Sequence, residues 1–273
     1  MDLDLMTTAA ASRAGRSLAL LSRGSLSAAT CCLAATLVMA CATIQTTSNT
    51  ATGSVQSATM TTPQPNTLTD AERRDGWRLL FDGTSLNGWR QYQGDALSAA
   101  WRVVDGTITK NVPTEDIVTR DQFGDFELTF DWKVATGGNA GVFYRATEEY
   151  NKVYWSATEY QLLDDANARD GLVANTSAGA AYALYDAPRG AVKPAGEWNT
   201  GRIVARGTHI EHWLNGTKMA DFEAGSPEWE AIVKGSKFKD WPNYGRARQG
   251  FIALQGDHSG DLALRNIKIR EIR

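Results

Sequence analysis

The chain of 273 residues is poor in cysteine and histidine and carries almost no net charge, and each shortage removes a class of function. Of its 3 cysteines, Cys31 and Cys32 fall inside an N-terminal segment that reads as an export signal, so a mature chain would keep Cys41 alone. One cysteine supports neither a disulfide framework nor a cysteine-ligated metal centre. Net charge is −3, from 28 Lys+Arg against 31 Asp+Glu, which leaves no basic footprint for nucleic acid. The G-x-S-x-G, G-x-x-x-x-G-K-[ST] and H-E-x-x-H signatures are absent, so serine-hydrolase, P-loop and zincin chemistries lack their usual support. His209 and His212 stand an odd number of residues apart in a strand-like stretch, which sends them to opposite faces and makes them structural rather than a metal pair.

What is present divides the chain in three. Arg13, Arg16 and Arg23 precede an uncharged run of apolar and small residues from Leu26 to Ala40, too short for a spanning helix and suited to a secretory signal. The run ends in "LVMAC", which resembles a bacterial lipobox, so 1–41 reads as a signal and Cys41 as the lipidated residue. The alternative is ordinary cleavage that leaves Cys41 unmodified. The expected protein is exported and faces the periplasm or cell exterior, touching the membrane only through its lipid. Residues 42–69 are dominated by Thr, Ser, Ala and Gln and hold no aromatic residue, the composition of a flexible tether. The remainder, 70–273, has the size of one domain. The chain's 9 Trp and 8 Tyr suit a carbohydrate surface, although such rings are also ordinary core material.

Within the domain the dominant period is two. "FELTFDWKV" (126–134) sets Phe126, Leu128, Phe130, Trp132 and Val134 on one face against Glu127, Thr129, Asp131 and Lys133 on the other, a strand with one buried side. Asp105-Gly106 and Asn215-Gly216 each separate two extended arms and predict tight hairpins. Residues 250–255 and 262–272 predict two closing strands. Many short antiparallel strands argue for an all-β fold of two packed sheets. One short helix is inserted, with Ser226 as N-cap, Pro227 at the first turn, Trp229, Ile232 and Val233 on its apolar face, and Gly235 at its end. The surrounding insertion, 225–249, is expected on the sandwich edge or at the rim of a cleft.

The stretch "YWSATEYQLLDD" (154–165) is unusual for a strand, because alternation places Trp155, Ala157, Glu159, Gln161 and Leu163 on one face and Tyr160 and Leu162 on the other. Glu159 and Gln161 would lie close enough to contact one small ligand, and apolar neighbours would raise the carboxyl pKa toward a useful acid–base value. "NAGVFYRAT" also alternates, with Asn139, Gly141, Phe143 and Arg145 on one side, and "LQGDH" brings Gln255 and His258 to a strand end. Arg145, Glu159, Gln161, Gln255 and His258 together offer a cation, a carboxylate, two amides and an imidazole. A solvated outer face is the bland alternative.

The ordered blocks "WRLLFDGTSLNGW", "DFELTFDWKV", "NAGVFYR", "EYQLLDD", "AGAAYALYDAP", "KPAGEWNTGRIVARG", "HWLNG", "GFIALQ" and "LRNIKIREI" resemble the 3-keto-disaccharide hydrolase family over 76–273. The resemblance implies a concanavalin-A-like jelly roll whose face holds a sugar, and cleavage of glycosides already oxidised to a ketone at C3. Such a ketone acidifies the C2 hydrogen, so a base removes it, the enolate expels the C1 substituent, and water adds back. For this chemistry the residues at hand suggest proton transfer by Glu159 or His258, oxyanion stabilisation by Arg145, and hydroxyl contacts from Asn139, Gln161, Asp164 and Gln255. Asp164 is alternatively a turn residue, and Arg145 a surface ion pair. The sequence singles out no cofactor; a divalent metal held by Glu159, His258 and a nearby oxygen is the alternative to Arg145 as electrophile. The expected partner is an oligosaccharide or glycoside. Two other functions fit the same fold: a non-catalytic carbohydrate-binding module, and an ordinary retaining glycosidase.

Overall fold

A computed structural model describes residues 64–272; the expected signal, Cys41 and most of the expected tether lie outside these residues. Some contacts of the described residues lie just before position 70. Asn66 and Asn266 exchange backbone-to-side-chain hydrogen bonds of 2.6 and 2.8 Å, and Asn66 also donates to Gly106 O. Thr69 then caps a short helix, α1 (Asp70–Arg74), in a capping box with Glu72.

Thirteen strands follow among the described residues: β1 (Arg78–Leu79), β2 (Trp89–Gln91), β3 (Arg102–Val104), β4 (Thr107–Lys110), β5 (Ile117–Phe123), β6 (Phe126–Val134), β7 (Asn139–Ala146), β8 (Thr158–Leu163), β9 (Asn199–Arg206), β10 (His209–Leu214), β11 (Thr217–Glu223), β12 (Gly250–Leu254) and β13 (Leu262–Glu271). The predicted inserted helix is α2 (Pro227–Gly235), capped by the Ser226 hydroxyl, which accepts from Trp229 N, and it buries Trp229 and Val233. Both predicted hairpins form, with φ of 48° and 70° at Asp105-Gly106 and 49° and 85° at Asn215-Gly216, the left-handed pair that a two-residue turn needs.

The strands make two antiparallel sheets, the jelly-roll sandwich expected from the sequence. One sheet has the order β11-β10-β9-β6-β13-β4-β3 with β1 on β13, and the other β2-β5-β12-β7-β8. The alternating side of β6 faces the second sheet, and Phe130 meets Tyr160 of β8 edge-on with ring centroids 5.3 Å apart. Leu128, Trp132, Ile252, Leu254, Leu264 and Ile269 complete this centre, and burial of each such side chain stabilises by roughly 1.5–3 kcal/mol. His212 is part of the interior. Its ring nitrogens pair with Tyr144 Oη (3.0 Å) and Gly179 O (3.2 Å), and burial pulls its pKa down to about 4, so it stays neutral. His209 lies on the other side of β10, against the Glu223 carboxylate at 2.9 Å.

One stretch departs from the expectation of a strand. Val153–Trp155 forms a 3₁₀ turn and β8 begins only at Thr158, so Trp155 does not share the face of Glu159 and instead stacks on Trp241. The outer edge of β8 is covered by residues 179–182: Gly179 N donates to Gln161 O, Gln161 N to Ala180 O, and Tyr182 N to Glu159 O.

Candidate active site

β12 pairs with β7 and β7 with β8, so the three strands singled out in the sequence are neighbours. One face of this trio packs on the core through Val142, Tyr160, Leu162 and Ile252. On the opposite face lies a cavity of about 240 Å³ lined by Asn139 of β7, Glu159 and Gln161 of β8, and Gln255 just beyond β12. Asp257 and His258 enter from the loop that follows, and Tyr154, Tyr182 and Lys237 close the remaining sides. A larger groove of about 500 Å³ runs along the other sheet, but no buried carboxylate opens into it, and its cations Lys133 and Arg265 already sit over the Trp198 ring at 4.9 and 4.1 Å.

Glu159 lies on the cavity floor, 6% exposed, and among the described residues no group hydrogen-bonds its carboxylate. Its side chain lies diagonally across β7 over Gly141, where an added Cβ would come within 2.2 Å of Oε1. Desolvation pushes its pKa up to about 8; the Lys237 ammonium opposes this, and the charges of Asp257, Asp116 and Asp170 add to it. Burial in turn pulls Lys237 below the ordinary lysine range, with Glu159 acting against that pull. The Lys237 Nζ rests over the Tyr182 ring at 4.2 Å.

Three of the residues lining the cavity also carry buried acceptors. Gln161 Oε1, Gln255 Oε1 and Asp257 Oδ1 are buried without a hydrogen-bond partner. Unpaired buried oxygens are costly, and three around one cavity call for a ligand that donates several hydrogen bonds, as sugar hydroxyls do. Behind them the Asp170 carboxylate accepts from Tyr182 Oη (3.0 Å) and Asn139 Nδ2 (3.4 Å), and Asn139 Oδ1 accepts from Gln161 Nε2 (3.2 Å).

The loop carrying Asp257 and His258 is held from beneath. Lys110, 0% exposed, donates to His258 O at 2.5 Å, and Gly256 N donates to the Asp116 carboxylate at 2.7 Å. Desolvation lowers the Lys110 pKa and raises that of Asp116 to about 7. Lys110→Met is expected to leave the His258 carbonyl unpaired, to cost about 2 kcal/mol of stability in urea unfolding, and to slow turnover by loosening this loop.

Asn139, Glu159, Gln161, Gln255 and His258 are therefore brought together as the sequence suggests; Arg145 and Asp164 are not. Between Phe143 and Ala146 β7 holds one residue more than β12 does between Ala253 and Phe251, a β-bulge with Arg145 at φ 53°. The bulge breaks the alternation that put Arg145 beside Phe143. Its guanidinium instead bonds Gly124 O, Gly207 O and the Asp125 carboxylate, tying turns of the two sheets together. Asp164 organises the turn after β8, accepting from Gly137 N, Ala166 N and Asn167 Nδ2.

For a divalent ion, Glu159 and His258 supply suitable atoms, but among the described residues they join no set of three His, Cys, Asp or Glu ligand atoms within 4.8 Å of one another. Among the described residues that arrangement occurs at His209, Glu211 and Asp221, where Lys218 Nζ already bonds both carboxylates at 2.8 and 2.6 Å.

Sequence reasoning missed Tyr154 as a cavity residue, and Tyr182, Lys237 and Asp257 altogether. Asp257 adjoins His258 and was open to inference. Lys237 is one of several lysines in "VKGSKFKD", with nothing in the pattern to distinguish it.

Residues 76–270 match the family described as the 3-keto-alpha-glucoside-1,2-lyase-like domain. A 3-keto-disaccharide hydrolase from Bacteroides thetaiotaomicron is 32% identical over an alignment of 229 positions, covering 72% of this chain and 78% of the relative. A crystal structure of a Parabacteroides distasonis protein, provisionally described as a glycosyl hydrolase, is 33% identical and superposes with a TM-score of 0.73, covering 77% of this chain and 100% of that one. A second such protein from the same organism is 28% identical with a TM-score of 0.58, over 72% and 99% of the two chains.

Proposed function

The chain belongs to the 3-keto-alpha-glucoside-1,2-lyase-like family, and from that premise we propose that it cleaves 3-keto-glycosides by elimination followed by hydration. Glu159 takes the C2 proton. The C–H electron pair forms an enolate, with its charge on the C3 oxygen facing the Lys237 ammonium. The enolate then collapses, C1=C2 forms, and the C1–O bond breaks with its electrons on the leaving oxygen, which His258 protonates at the cavity mouth. Water adds back as hydroxyl at C1 and hydrogen at C2, so the net change is hydrolysis. Gln161, Gln255, Asp257 and Asn139 hold the remaining hydroxyls.

The observation that carries this reading is the carboxylate of Glu159, desolvated on the floor of a sugar-sized cavity that the Lys237 ammonium also lines. Carboxylate base and cationic electrophile are what α-proton abstraction needs, and Lys237 takes the part first assigned to Arg145. Export and anchoring through Cys41 belong to the same proposal and rest on sequence alone.

One observation favours a second reading: Asp257 shares the cavity with Glu159, and an ordinary glycosidase uses two facing carboxyl groups. Matched glucosides with and without the 3-keto group separate the two. Release of the leaving group from the keto form alone is expected; release from the unoxidised sugar would point to the glycosidase, and binding without turnover to a carbohydrate-binding module.

A further inference from the structure

The cavity, at about 240 Å³, lies below the range of about 300–1,000 Å³ common for drug-sized ligands, and it holds one pyranose ring rather than two. If the ring bearing the ketone occupies it, as the proposed function requires, the leaving group must lie outside. A row of half-buried aromatic rings starts at the cavity wall and leads away from it. Tyr154 meets Trp155 edge-on at 5.6 Å, Trp155 stacks on Trp241 at 4.1 Å and 12°, and Trp241 meets Tyr150 at 5.1 Å. Trp155 belongs to the 3₁₀ turn before β8, and Trp241 to the insertion that also supplies Lys237. Rings that only filled a core would be fully buried, as Trp132 and Trp229 are, whereas these four keep part of their surface in solvent. Polar groups border the row: Asn243 donates to the Glu149 carboxylate at 2.6 Å, and these residues are close neighbours of Trp241 and Tyr150 in the chain.

We propose that the Trp155–Trp241 ridge is the leaving-group subsite, seating the apolar face of a second pyranose ring while the 3-keto ring occupies the cavity. A flat ring with an apolar face and a hydroxylated rim suits an aromatic surface edged by an amide and a carboxylate. A substrate whose leaving group is a sugar should therefore gain from the ridge, and a simple alkyl glycoside should not.

The test compares Trp155→Ala, Trp241→Ala and Trp155→Phe on three substrates: a methyl 3-keto-glucoside, a 3-keto-glucosyl-glucose and an aryl 3-keto-glucoside. Both alanine variants are expected to lose about tenfold in kcat/KM on the disaccharide while staying within twofold of the parent on the methyl glycoside, with Trp155→Phe retaining most of the activity. Equal loss on the methyl glycoside and the disaccharide would mean that the stack only fastens the insertion and would overturn the proposal. No loss on the disaccharide, or loss on the aryl glycoside alone, would overturn it too. If the parent protein cleaves none of the three 3-keto substrates, the proposed function fails by itself. The ridge is then judged by quenching of tryptophan fluorescence with unoxidised glucosyl-glucose: quenching that Trp155→Ala abolishes supports it, and absence of quenching rejects it.

Discussion

Glu159→Gln is expected to lower kcat on a 3-keto-glucoside by about 10³-fold and to leave KM within a few-fold. The amide keeps the volume of the side chain on the cavity floor and removes its basicity. A loss confined to kcat therefore identifies proton transfer rather than lost packing. The pH profile sharpens the test. With the carboxyl pKa pushed up to about 8, kcat/KM of the parent should rise about tenfold per pH unit through the acidic range and level off near 8. Because burial also lowers the Lys237 pKa, an alkaline decline should follow as that ammonium loses its proton. Lys237→Met should abolish the decline and move the acidic limb upward, since the ammonium is what restrains the rise at Glu159. Residual activity of Glu159→Gln with an unchanged acidic limb would assign the base elsewhere.

The same group leaves a mark on stability. In the unfolded chain Glu159 ionises near 4.5, and in the fold near 8, so between these values the native state binds the extra proton and loses stability as pH rises. Asp116, raised to about 7, acts in the same direction. Glu159→Gln should therefore unfold with a weaker pH dependence than the parent across this window, while retaining the part due to Asp116. Urea midpoints at pH 5 and pH 8 measure the difference, and equal slopes in the two proteins would show that Glu159 is not desolvated.

The sheets were legible because burial on one side of a strand forces a period of two, and nothing interrupts that period in 126–134 or at the two Asn/Asp-Gly turns. The cavity was legible for a related reason. Glu159 and Gln161 break an apolar face, and only a site or solvent explains polar residues at those positions. Legibility ended where geometry stops being periodic. One extra residue in β7 turned Arg145 from the cavity to the turns, a displacement with no local sequence mark because αL conformation at an arginine is set by pairing with β12. Asp164 was ambiguous because an aspartate after a strand serves a turn as readily as a ligand. Lys237 and Trp241 come from an insertion whose path depends on the burial of Trp229, Phe238 and Tyr244, so their arrival at the cavity is a tertiary result.

Gly141→Ala is expected to reduce kcat by about 100-fold while shifting the melting temperature little, and the contrast between these two effects is the informative part. Gly141 sits in β7 opposite Gln161 and, unlike the turn glycines, does not have a positive φ, so alanine is compatible with its backbone. The obstacle is steric: the new methyl would lie 2.2 Å from Oε1 and 2.7 Å from both Cδ and Cγ of Glu159. Because Cγ is among them, the whole side chain beyond Cβ must rotate; no hydrogen bond restrains it, so it swings aside and the strand survives. A swing of about 1 Å is enough to spoil proton abstraction, since reacting atoms must meet within roughly 3–3.5 Å. Moved toward water, the carboxyl group should also recover part of its ordinary acidity, and the acidic limb of kcat/KM should fall from about 8 toward 4.5. Full activity in Gly141→Ala with an unmoved limb would mean that the carboxylate does not need its place on the cavity floor, and the assignment of Glu159 as base would go with it.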